Sequence, residues 1–229
     1  MSSSALIIGA GSGLSAALAR RCAADGMTVA LAARTGEKAR DVAAETGASL
    51  HLCDAGSIEA VDRLFTDIYA EIGTPDLVVY NPSARVPGPI TDLDAAAARA
   101  ALEVTCFGAF LVAQQAARRM LQRGSGSIFF TGATAAVKGF ANSSVFAMGK
   151  FGLRGLAQAL ARELHPQNIH IGHFVIDGGI RSDRPERQDD GSDNTLDPDA
   201  IAESYLQCHN QHRSAWGWEI ELRPWQERF

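Results

Sequence analysis

Cysteine is scarce, with Cys22, Cys53, Cys106 and Cys208 the only four, and none stand at metal or redox spacing. That leaves reduced thiols, of which Cys22 and Cys106 lie in helix-like stretches as core packing. Basic runs are missing, and a net charge of −5 argues against nucleic acid as a partner. Long hydrophobic runs are missing too. After Met1-Ser-Ser-Ser the chain enters Ala5–Gly9, which is too short for a secretory core or a membrane span. The expectation is a cytoplasmic protein with no membrane partner. Six histidines offer one helical pair, His209 and His212, which without a third ligand reads as a solvated helix end, so no metal is expected.

What the chain does have is an alternation of short apolar runs with longer helix-like stretches, the pattern of a parallel sheet wrapped by helices. Strands are expected at Ala5–Gly9, Thr28–Ala33, Leu50–Cys53, Leu77–Tyr80, Ser127–Thr131, Ile169–Ile176 and Trp218–Leu222. Helices are expected near 14–25, 37–46, 57–72, 92–123, 143–165 and 198–211. Most of the strand runs are almost continuously apolar, as when helices cover both faces. No repeat or second-domain signal interrupts residues 1–229, so a single domain is expected. The alanine-rich stretch 92–123 packs either on the sheet or on a second subunit, and a homo-oligomer, dimer or tetramer, is expected. Arg181 to Asp199 is polar, with three arginines and six aspartates, and reads as a mobile lid or substrate loop.

The first unit reads Ile7-Ile8-Gly9-Ala10-Gly11-Ser12-Gly13-Leu14, directly after a strand and opening a helix. Gly9 permits a tight turn, and Gly13 lets the start of the helix approach a pyrophosphate. The N–H groups and dipole at that end favour an anion. At the end of the second strand a carboxylate would select NAD; Ala32-Ala33-Arg34 stands there instead. Arginine pairs naturally with a 2′-phosphate, and Ser12 in the glycine turn can donate a further hydrogen bond. NADP(H) is therefore expected over NAD(H). After the third strand, Asp54-Ala55 reads either as a turn former or as a contact to the adenine edge. These features together describe a Rossmann-type α/β fold: a doubly wound, parallel, seven-stranded sheet with helices on both faces.

At this point the chain resembles the short-chain dehydrogenase/reductase family over nearly its whole length. The glycine turn appears as Gly9 and Gly13, with Ser15 in place of the third glycine. Asp54-Ala55 is similar to the family's adenine contact, Asn81-Pro82-Ser83 to its asparagine segment after the fourth strand, and Gly179-Ile180-Arg181-Ser182 to its segment after the sixth. The resemblance implies that Ile180 and Ser182 meet the nicotinamide amide or the pyrophosphate. It also implies that Lys150 holds the nicotinamide ribose. The family's catalytic serine, tyrosine and asparagine fall on Ala133, Phe146 and Thr105. Only the lysine of that tetrad survives.

Phe146 has no hydroxyl to protonate the alkoxide left by hydride transfer. Thr134, Ser143 and Ser144 are not spaced to replace it, and Tyr80 at the end of the fourth strand reads as a packed aromatic. Arg85, just after that strand, can meet an anionic substrate or simply be solvated. Three functions stay open: an NADP(H)-dependent oxidoreductase with an altered proton donor and an unknown small-molecule substrate, a non-catalytic NADP(H)-binding partner, or a scaffold without cofactor.

Overall fold

The apolar runs become the strands of one sheet. In the computed structural model, which describes residues 3–182, 185–188 and 191–226, the strands are β1 Ser4–Ile8, β2 Thr28–Ala33, β3 Ser49–Leu52, β4 Leu77–Tyr80, β5 Gly126–Thr131, β6 Ile169–Ile176 and β7 Glu219–Leu222. They are all parallel, in the order β3-β2-β1-β4-β5-β6-β7. The helices are α1 Leu14–Ala24, α2 Arg40–Thr46, α3 Ile58–Glu71, α4 Ala95–Leu102, α5 Gly108–Arg123, α6 Ser144–Leu164 and α7 Pro198–His209.

Successive strand side chains point to opposite faces. Leu6, Ile8, Val78, Tyr80 and Ile128 join α3, α5 and α6 in one core; Ala5, Ile7, Leu77, Val79 and Phe129 join α1, α2 and α7 in the other. Because both faces are covered, both sets are apolar, and each fully buried Leu, Ile or Phe stabilises the fold by roughly 1.5–3 kcal/mol. α3 shows the local logic. The Ser57 hydroxyl accepts from Ala60 N–H at 3.2 Å, and Val61, Leu64, Phe65 and Ile68 bury one stripe at helical spacing.

The expected helix 92–123 is not one α-helix. It begins at Ala95, capped by Asp94, and is interrupted by a π-helical turn at Glu103–Phe107. The interruption has an outside cause: the Tyr80 hydroxyl donates to the Val104 carbonyl, and the Thr105 hydroxyl accepts from Ala84 N–H at 3.0 Å. By length and composition Ala95–Arg123 could cross a membrane. In this fold, however, Leu111, Val112, Ala116 and Met120 lie in the core beneath the sheet. The expected helix at 37–46 likewise opens with a 3-10 turn, and β1 stops one residue early because Gly9 leaves the strand at φ +82°.

Gly108 lets α5 close on the sheet. A Cβ there would stand 2.3 Å from the Ala55 carbonyl oxygen and 2.5 Å from the Tyr80 hydroxyl. Alanine would gain about 1 kcal/mol of helix propensity, but the clash is with backbone that cannot step aside and costs about 1–3 kcal/mol or more. Gly108→Ala is therefore expected to lower the urea midpoint. An unchanged or higher midpoint would show that the helix can back away.

Candidate active site

β2 and β4 flank β1, and the connections leaving β1 and β4 pass to opposite faces of the sheet. A crevice therefore opens at the carboxyl ends of these strands. Gly9 forms its floor. With φ at +82° and a Cβ that would lie 2.7 Å from the Pro82 nitrogen, the position admits only glycine. The N–H groups of Gly9 and Ala10 both donate to the Ala32 carbonyl at 2.9 Å. α1 then begins at Leu14 with no side-chain cap and no acid in its first turn, so its positive end has no carboxylate of its own. Ser15 donates to the Gly9 carbonyl at 2.9 Å and accepts from Asn81 Nδ2 at 2.7 Å. The lost third glycine is thus a hydroxyl that ties the turn to the end of β4.

Two hollows adjoin along this crevice, of ≈ 860 and ≈ 590 Å³, and Lys38, Asn81 and Ser83 line both. The smaller is walled by Gly9, Arg34, Asp54 and Ala55. The larger is walled by Ser12, Gly13, Leu14, Ala133, Phe146, Lys150, Ile180 and Ser182. Among the residues singled out in the sequence as site positions, Thr105 alone lines neither. It is buried, and its hydroxyl holds the Ala84 backbone. Asp54 accepts from Gly56 N–H at 3.0 Å, a turn-forming contact, while lining the smaller hollow.

Arg34 and Lys38 are exposed at the end of β2, and neither has an ion pair among the described residues. Lys38 was not singled out in the sequence, although it follows Arg34 at four-residue spacing. Tyr80 is fully buried, its phenol bonded to Val104 and pushed far above its ordinary pKa by burial. It does not face the crevice.

At the other end, Phe146 and Ala133 present no hydroxyl. The Arg85 guanidinium carbon lies 4.0 Å from the centroid of the Phe146 ring, and Lys150 Nζ lies 5.9 Å from it. Lys150 is buried and donates to the Thr131 carbonyl at 2.6 Å. Burial, helped by the charge of Arg85, pushes its pKa down to about 7. Behind this wall a Cβ on Gly132 would come 2.5 Å from His173 Nε2. His173 is buried, 3.1 Å from Glu219 through Nδ1; burial outweighs that partner and pushes its pKa down to about 4.

The polar segment 181–199 is pinned at its base. Ile180 bridges Leu196, Leu196 is buried, and Arg181 pairs with Asp197 at 3.3 Å. Residues 183–184 and 189–190 lie outside the described residues. Two sequence readings need correction. His209 is not a solvated helix end but a half-buried residue bonded to the Ser127 hydroxyl at 2.9 Å. Cys106 is half-buried beside an apolar hollow on the outer face rather than in the core. Of the tryptophans near the end of the chain, Trp216 stacks on His170 at 4.5 Å, Trp218 packs on the core, and Trp225 is exposed.

The family model for short chain dehydrogenase matches residues 3–190. The 3-oxoacyl-[acyl-carrier-protein] reductase MabA of Mycobacterium bovis is 30% identical over 190 residues, 83% of this chain and 74% of the relative. A short-chain dehydrogenase from Rhodopseudomonas palustris is 35% identical with a TM-score of 0.81, over 96% of this chain and 99% of that one. A metagenomic short-chain oxidoreductase solved in complex with NADP is 26% identical with a TM-score of 0.85, over 98% of each chain.

Proposed function

Because the chain belongs to the short-chain dehydrogenase family, we propose that it is an NADP(H)-dependent oxidoreductase whose proton donor is Lys150 rather than a phenol. The observation that carries this reading is the pair of joined hollows running from Arg34 and Lys38, two cations with no ion pair among the described residues, past the uncapped end of α1 to the buried Lys150. These residues fit a dinucleotide phosphate. Gly9, which a Cβ would fill, belongs with Ser12, Gly13 and Leu14 to the cradle for the pyrophosphate. Arg34 and Lys38 hold the 2′-phosphate, Asp54 and Ala55 flank the adenine, and Asn81, Ile180 and Ser182 flank the nicotinamide half. The bound cofactor supplies or accepts a hydride.

The residues around the reacting end then have one proton to manage. Lys150 Nζ holds it below about pH 7, where the Thr131 carbonyl orients the ammonium toward the cleft wall. An acid with a pKa near the working pH is well matched to this task. The exposed apolar face formed by Phe107, Phe110, Met148 and Phe151 supports a homo-oligomer assembled through α5 and α6.

Calorimetric titration with NADPH and NADH tests the cofactor assignment. Arg34→Ala is expected to weaken NADPH by roughly 1.5–3 kcal/mol, the worth of a charged hydrogen bond, while sparing NADH. Equal losses for both would remove the 2′-phosphate from Arg34. Tight NADPH binding with no hydride transfer to any carbonyl would favour a non-catalytic NADP(H)-binding partner.

A further inference from the structure

His173 holds a buried lone pair that nothing satisfies. It lies in β6 opposite Phe130, on the face of the sheet that α6 covers. Its Nδ1 stands 3.1 Å from Glu219, whose oxygens also accept from Arg154 Nε at 2.6 Å and Nη2 at 2.8 Å. Those arginine bonds keep the carboxylate ionised. An ionised carboxylate only accepts, so Nδ1 carries the imidazole proton and Nε2 a lone pair. Fully buried, Nε2 meets no donor among the described residues, and a buried acceptor left so calls for a reason. Gly132 shows where the lone pair stands. A Cβ there would lie 2.5 Å from Nε2, so the missing side chain is what admits the ring. Gly132 lines the larger hollow between Thr131 and Ala133, and the Thr131 carbonyl is the atom to which Lys150 donates. Lone pair and ammonium thus approach consecutive residues at the end of β5. Lys150 and Arg154 are one turn apart on α6, and Arg154 already reaches Glu219 beside the imidazole. An ammonium has three N–H groups, and Thr131 takes one of them.

We propose that His173 is a positioning residue for Lys150: its Nε2 is a second acceptor to which the lysine turns its ammonium between reaction steps. The proton stays on Nζ, and only its hydrogen-bond partner changes. What this does for reduction rests on the reading of Lys150 as the proton donor. The groups facing His173 are Glu219 from β7 and Lys150 and Arg154 from α6, and Arg85 acts on Lys150 from the loop after β4. Burial keeps the imidazole uncharged at neutral pH, so it accepts from the ammonium rather than repelling it. The Glu219 carboxylate, drawing on the Nδ1 proton, fixes the tautomer and makes Nε2 the stronger acceptor. A hydrogen bond to the charged form favours it, so His173 holds up the proton affinity that burial pulls down.

The test follows Lys150 directly, by NMR titration of the full chain carrying lysine labelled with carbon-13 at Cε, without cofactor or substrate. Lys38 and Lys138 are the only other lysines, so the signals are few. His173→Leu removes the acceptor and is expected to lower the Lys150 midpoint by about one pH unit, the worth of a hydrogen bond to a charged group. His173→Gln, whose amide oxygen can accept, should recover about half of that shift or more. Nitrogen-15 histidine spectra give the reciprocal readout: His173 Nε2 should move in Lys150→Met, while Nδ1, held by Glu219, stays in place. Circular dichroism checks folding, and if His173→Leu does not fold, the nitrogen spectra decide alone. In carbonyl reduction with NADPH, the alkaline fall of kcat should move with the midpoint, leaving KM for NADPH within about twofold. An equal Lys150 midpoint in wild type and His173→Leu, or an Nε2 unmoved in Lys150→Met, would overturn the proposal. Equal shifts in His173→Leu and His173→Gln would overturn it too, by tracing the effect to packing. If the midpoint moves with His173 while the rate profile does not, the contact stands and the reading of Lys150 as proton donor fails.

Discussion

Replacing Phe146 by tyrosine together with Ala133 by serine is expected to raise carbonyl reduction by about 10²–10⁴, the ordinary worth of a positioned general acid. Both positions line the cleft, and Lys150 Nζ already lies 5.9 Å from the centre of the ring that would carry the new hydroxyl. The serine adds a donor to the developing oxyanion, where a preorganised hydrogen bond acts most strongly. The pH profile separates the two acids. In the wild-type protein, reduction should fall as pH rises through about 7 and Lys150 loses its proton. In the double variant the fall should move toward alkaline pH, because a phenol stays protonated longer. Equal rates and equal profiles, with NADPH bound to both proteins, would mean that the proton comes from elsewhere.

A second large effect is expected in acid stability. His170 and His173 point to opposite faces of β6, both fully buried, and burial pushes each pKa down to about 4. His170 is stacked on Trp216 and faces the Gly217 carbonyl at 3.0 Å, while His173 faces Glu219. In the unfolded chain a histidine takes up its proton near pH 6.5. Between that pH and about 4 the unfolded state therefore binds more protons than the folded one, so stability rises with pH across this window and is lost on acidification. One pKa unit is worth about 1.4 kcal/mol, so each histidine contributes on the order of 3 kcal/mol, and the pair is comparable to the net stability of many domains. Urea unfolding measured from pH 7 to 4.5 should show a steep loss, with a smaller slope in His173→Gln. Glu219 and Glu203, whose pKa values are lowered chiefly by hydrogen bonds from Arg154 and Arg21, lose their stabilisation only near the acid end of that window and below it, where an unfolded glutamate takes up its proton. A flat stability profile down to pH 4.5 would show that the buried imidazoles accept their protons without cost.

The sequence by itself determined the strands: the five inner ones are nearly unbroken apolar runs of strand length, as burial between two helical layers favours, while the edge strands β3 and β7 alternate polar and apolar residues. It determined the glycine turn as well, since Gly9, Gly11 and Gly13 stand together between an apolar run and a helix-like stretch. It also showed the missing phenol at Phe146, which is a matter of composition at one position. What it could not determine depends on partners distant in the chain. The break in the long helix comes from Tyr80, which takes the Val104 carbonyl from 24 residues away. Ser15 reads as a defect in a motif until Asn81 is brought beside it. The seat of Arg85 on Phe146 and the depressed pKa of Lys150 exist only where β4, β5 and α6 meet. Local pattern specifies which residues are buried; the field at a buried charge is set by its neighbours in space, and only the tertiary structure decides who those are.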